Sequence, residues 1–152
     1  MIPAFQPEGN LPPGIHPASW TEFASRFGAN QHRQRLLHGL RELLLKLALA
    51  GCQMAYIDGS FITNKAVPGD FDGVWELKNV DLPRLLVIEP VLFEFSNQRA
   101  AQKRKYLGEM FPADSQELAS GRTFLEFFQQ DMQTGHPKGI VAIDLRTLYD
   151  QE

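Results

Sequence analysis

The sequence predicts an α+β fold, a small mixed β-sheet packed with helices, on three observations. Leu36, Leu37, Leu40, Leu43, Leu44 and Leu47 recur at three- and four-residue steps, the spacing that lines one face of a long helix. Residues 54–57, 71–77 and 139–145 are short apolar runs beside glycines, the length and setting of strands rather than helices. The chain of 152 residues is 43% apolar and 22% charged, which suits one globular domain able to bury a proper core. Helices interspersed with strands around that core give the class.

The elements follow in order. Residues 1–17 hold four prolines before His16 and read as an extended arm lying over the domain of residues 18–152, because proline fixes φ and removes a donor. Ser19 with Glu22 three residues on is a capping-box pattern, and Gly28 is a natural stop, so a helix is expected over Trp20–Phe27. Asn30 caps the leucine helix, expected over 31–50 and ended by Gly51. Strands follow at 54–57 and 71–77. The run 85–95, LLVIEPVLFEF, is divided by Pro90 and reads either as a broken or edge strand or as a strand followed by a helix start. Ser96 heads a basic helix to about Met110, and Thr123 with Glu126 heads another, with Phe124, Phe127 and Phe128 on its core side. The run GIVAIDL at 139–145 is the last strand.

Several classes are excluded or disfavoured. A net charge of −3 argues against a general nucleic-acid coat. The most apolar stretch, 43–50, is short and interrupted by Lys46, so no membrane span is expected. The N-terminus lacks the basic start and apolar stretch of a signal peptide, and a cytoplasmic protein is expected. Cys52 is the one cysteine; it has no disulfide partner and reads as a buried thiol. His16, His32, His38 and His136 lack the spacing of a zinc site, and no G-x-S-x-G elbow supports a hydrolase.

The residues with chemistry lie in GSFITNKAVPGDFDGVW, 59–75. Asp70 and Asp72 are two apart, so on a strand their side chains share one face. Like charges so placed repel unless a metal ion, a basic side chain or water relieves them. Gly59 and Ser60 end the preceding strand, where a glycine lets backbone amides approach a phosphate. The plainer reading of the aspartates is a solvated strand end after the Pro68-Gly69 turn. Lys65 lies in the intervening loop, and Asp58 either joins the carboxylates or pairs with a lysine at their rim. Arg99, Lys103, Arg104 and Lys105 form a basic run that steers an anion or is a solvated helix face.

Gly-Ser, nine residues, then Asp-x-Asp resembles the signature of the polymerase-beta-type nucleotidyltransferase superfamily, especially its minimal single-domain members. The whole chain, with LPPGIH and YIDGSF, resembles a family of small bacterial proteins bearing that signature. The resemblance implies a nucleotidyltransferase-like fold and a site in which Gly59 and Ser60 meet the phosphates of a nucleoside triphosphate such as ATP; Lys65, by its place in the loop, either reaches the same phosphates or, the plainer reading, is a solvated loop lysine. Asp70 and Asp72 would hold Mg²⁺ or Mn²⁺. The superfamily's third carboxylate, which helps activate the attacking hydroxyl, falls by strand position on Asp144, which reads nearly as well as closing its strand by an Asx turn onto Arg146 and Thr147. The implied reaction moves an NMP to a hydroxyl on an RNA or a protein, including a protein toxin in a toxin-antitoxin or phage-defence setting. The chain departs from the pattern at Asp58 and Gly73, where the superfamily usually has apolar residues. Those departures keep a second class open, a catalytically weak module of the same fold that binds a nucleotide or a partner. A third class is an interaction protein in which the aspartates have no part.

Overall fold

One face of a five-stranded sheet carries the main helices, and the opposite face carries the carboxylates and one short helical turn. The computed structural model describes residues 1–131 and 134–149. The strands are β1 Gly14–Ala18, β2 Met54–Asp58, β3 Phe71–Trp75, β4 Gly108–Pro112 and β5 Gly139–Asp144. They lie in the order β1-β5-β2-β3-β4. β1 runs parallel to β5 and β3 parallel to β4, while β2 is antiparallel to both its neighbours. The helices are α1 Trp20–Phe27, α2 Gln31–Leu49, α3 Leu82–Ile88, α4 Ser96–Tyr106 and the single turn α5 Phe124–Phe127. The expected α+β class is what the chain adopts. No described helix is long and apolar enough to cross a membrane.

The capping logic is realised locally. Ser19 accepts from the Glu22 amide, Asn30 from the Arg33 amide, and Thr123 and Glu126 cap each other's backbone. Period two then sorts each strand. Ala55, Ile57, Phe71, Trp75, Met110, Val141 and Ile143 point to the helix side and join the α2 leucines, Phe23, Phe27 and Leu85 in one core. Each such large side chain, fully buried, stabilises the fold by roughly 1.5–3 kcal/mol. The alternate positions, Tyr56, Asp58, Asp72, Val74, Glu109 and Phe111, face the other way.

Four expectations change. The arm is part of the sheet: β1 spans the 17/18 boundary and pairs with β5, and Leu11 and Ile2 are buried. Pro17 is tolerated because β1 is an edge strand. The crossing is tight: a Cβ on Gly139 would stand 2.1 Å from the Pro12 carbonyl oxygen. Within residues 85–95 there is no strand: α3, capped by Asp81, ends at Ile88, and Pro90 opens a 3-10 turn at Pro90–Phe93; a short apolar run does not distinguish helix from strand by periodicity. The basic helix stops at Tyr106, Leu107 turns left-handed at φ 69°, and β4 begins at once. Ser96 caps nothing there; Asn97, Gln98 and Arg99 open α4 in left-handed geometry. Phe124, Phe127 and Phe128 are only partly buried, on the sheet face away from the main core.

Candidate functional site

Strand register builds the site. Asp58 pairs with Asp72 across β2 and β3, and Asp72 pairs with Glu109 across β3 and β4. Directly paired residues share a face with Cβ atoms about 4.5–5.5 Å apart, so three carboxylates form a row across three strands. Asp70, two residues before Asp72, adds a fourth, half-buried one. The Gly-Ser turn abuts the row. Gly59 has φ +83°, and a Cβ there would stand 2.5 Å from Asp72 Oδ2; only glycine lets the Asp72 carboxylate lie against this turn. Ser60 opens a 3-10 turn, Ser60–Ile62, and its carbonyl accepts from Thr63 Oγ1 at 2.6 Å.

A buried arginine sets the loop that follows. Arg33 of α2 donates to the carbonyls of Phe27, Phe61, Thr63 and Lys65, and its guanidinium lies 5.0 Å over the Phe61 ring. The loop backbone is thereby held to the helix layer while the Lys65 side chain stays exposed.

The row is electrostatically unfavourable as built. Burial pushes Asp58 up to about 6, against the pull of Lys138 and the Gly59 amide. Asp72 is pushed well above the usual carboxylate range, first by burial, then by Asp70, Glu109 and Asp58. Hydrogen bonding with Glu109 raises it further. Burial also raises Asp70, with Glu109 adding to the effect. Three cations offset these charges. Lys138 Nζ stands 3.2 Å from Asp58 Oδ1, an ion pair without hydrogen-bond alignment, so that buried oxygen has no hydrogen bond. Arg99 Nε and Lys103 Nζ stand 2.7 and 3.5 Å from Glu109 Oε2. Among the described residues, no three His, Cys, Asp or Glu groups stand gathered as a ready metal cage.

Of the site residues read from sequence, Gly59, Ser60, Asp70 and Asp72 come together. Asp144 does not. It shares the open face but pairs with Met54, four residues along β2 from Asp58, or about 13 Å at the strand rise. Its carboxylate is taken by the Arg146 backbone and guanidinium at 2.7–2.9 Å, the Asx-type closure of a strand end. The third carboxylate beside the pair is Glu109, with Asp58 on the other flank. Sequence reasoning missed Glu109 and Lys138. Gly108, followed by the alternating Glu109, Met110 and Phe111, was the one local sign of β4. The basic run is divided: Arg99 and Lys103 reach Glu109, while Lys105 pairs with buried Glu89 at 2.6 Å.

Two cavities adjoin the row. Asp70 borders a cleft of about 310 Å³ shared with His32, Arg35 and Lys103. Glu109 borders a pocket of about 510 Å³ walled by Phe95, Phe111, Phe124 and Phe128.

A mixed sheet with its main helices on one face, and on the other a carboxylate row against a glycine turn, defines the class of protein. Residues 3–144 match the model of a family of unknown function (DUF6932), and the chain belongs to that family. No curated protein and no solved structure matches it.

Proposed function

We propose that the protein is a metal-dependent nucleotidyltransferase, moving a nucleoside monophosphate from a triphosphate to a hydroxyl on protein or RNA. The observation that carries this reading is the register Asp58-Asp72-Glu109 beside the left-handed Gly59-Ser60 turn. The donor set fits Mg²⁺ or Mn²⁺ by its chemistry. It is all oxygen, as hard cations prefer, and its crowded carboxylates hold charge that a cation relieves. Asp70 and Asp72 would hold the metal, since Mg²⁺ takes one or two carboxylates and completes its shell with waters and phosphates, while Glu109 stays with Arg99 and Lys103 and Asp58 with Lys138. A bound ion would supply charge stabilisation for the transferring phosphoryl group. The chain's own residues do the rest. The Gly59-Ser60 turn meets phosphate oxygens from its Ser60 side, the Gly59 amide being given to Asp58, and exposed Lys65 reaches out to the same phosphates. A protein toxin or an RNA end as acceptor belongs to the same proposal.

A second reading is favoured by one specific observation. Lys138, Arg99 and Lys103 already neutralise much of the row, as in a module that binds a nucleotide or partner with weakened chemistry. Thermal melts with Mg²⁺ and each NTP, beside transfer of labelled nucleotide, separate the two. Wild type should be stabilised by Mg-NTP, and Asp72→Asn should lose that response without losing stability of its own. Stabilisation without transfer to any acceptor would leave the binding module. A wild type indifferent to metal and every nucleotide would sink the enzyme and nucleotide-binding readings together and leave a protein that acts through a partner.

A further inference from the structure

The aromatic pocket continues the carboxylate row along the sheet. Glu109 and Phe111 are two apart on β4, so they share the open face. One step along from Asp58-Asp72-Glu109, the register places Tyr56, Val74 and Phe111 side by side. Over that apolar row, Phe124 stacks on Phe111 with centroids 4.1 Å apart and planes 14° apart. Phe95 lies parallel to Phe111 within 6°, at 6.4 Å. Phe95 is 42% exposed, a large ring left at the mouth of the pocket.

Arg99 joins the two regions. Its Nε bonds Glu109 at 2.7 Å, and its guanidinium lies 4.8 Å over the Phe111 ring. It comes from the left-handed opening turn of α4, a conformation unusual for three consecutive non-glycine residues and one that recurs at ligand clamps. Ser115 and Gln116 line the same pocket and offer polar contacts at its edge. A wall of parallel rings with a guanidinium and a few polar groups suits a flat, polar-edged aromatic ring rather than an aliphatic chain.

We infer that the Phe95-Phe111-Phe124 pocket takes the base of the nucleoside triphosphate whose phosphates meet Gly59-Ser60 and the carboxylate row. The inference rests on the nucleotide reading above and deepens it: one wall, Glu109, belongs to both subsites, so phosphate and base lie on one sheet face. Base affinity comes from stacking, which tolerates any base, while Ser115 and Gln116 bias the choice among bases.

The test compares ligands that carry one part each. Calorimetry would measure Mg-ATP and Mg-tripolyphosphate against wild type, Phe95→Ala and Phe124→Leu, and NMR titration would follow adenosine without metal. Phe95 stands at the surface, so its truncation keeps the fold. The expected result is that Phe95→Ala weakens Mg-ATP about tenfold, the scale of one lost stacking partner, and leaves Mg-tripolyphosphate unchanged. Adenosine should shift resonances of residues 111–128 in wild type and far less in both variants. If both variants bind Mg-ATP like wild type, and tripolyphosphate binds as tightly as ATP, the base subsite is overturned while the phosphate reading stands. If Mg-ATP fails to bind but adenosine still docks on the rings, the pocket survives and the transferase reading falls. If no ligand binds, both fall.

Discussion

Asp58→Asn should stabilise the protein above pH 6 and leave it unchanged below pH 4. Asp58 is 3% exposed, and its folded pKa rises from 3.8 to about 6. That value already includes the attraction of Lys138, so desolvation outweighs the ion pair. A raised carboxyl pKa means that the folded state holds a proton the unfolded chain has released. The favourable state is therefore fully present below the unfolded value, and stability is lost as pH rises through the folded one. About two pKa units, at about 1.4 kcal/mol each, give roughly 3 kcal/mol at pH 8. For a chain of this length that is a rise of roughly 6–12 °C in melting temperature. Asparagine mimics the protonated acid, so the difference between variant and wild type should vanish near pH 4 and grow to its full size above pH 6. Relief of repulsion on Asp72 acts in the same direction. Urea midpoints of both proteins at pH 4, 5, 6, 7 and 8 measure it. A variant less stable than wild type at pH 8 would refute the reasoning and make Asp58-Lys138 a stabilising ion pair.

Two further outcomes follow from the same structure. Asp144→Asn should leave Mg-NTP binding and stability essentially unchanged, since its partner Arg146 is exposed and the row lies at the other end of β2; calorimetry that shows weakened nucleotide binding would bring Asp144 back into the site. Arg33→Met should strand the carbonyls of Phe27, Phe61, Thr63 and Lys65, costing on the order of 3 kcal/mol and speeding hydrogen exchange across 60–65; an unchanged urea midpoint would show that water replaces the guanidinium without loss.

The starts of α1, α2 and α5 were legible because their determinants are local. Ser19, Asn30 and the Thr123-Glu126 box each act within three residues, and the α2 leucines declare one face within a single segment. The Gly-Ser turn and the shared face of Asp70 and Asp72 were legible for the same reason. β4 was not. Five residues directly after a basic helix carry little local preference, and what makes them a strand is a partner, β3, more than thirty residues earlier. The arm was legible as extended backbone over the domain, but its prolines do not name the sheet edge that its last residues join. Asp81 and Pro83 did signal a helix start, and the apolar run after them obscured it.

By itself, the sequence determined which side chains share a strand face and where a glycine turn interrupts the chain, because period two and backbone sterics act between near neighbours. Only the tertiary structure decided which end of each strand meets which. It put Glu109 beside Asp72, brought Lys138 to Asp58, and left Asp144 on the right face at the wrong end. Register between distant strands is chosen by burying whole faces together, a global condition that a slip of one residue violates for every side chain at once, and no short stretch of sequence contains it.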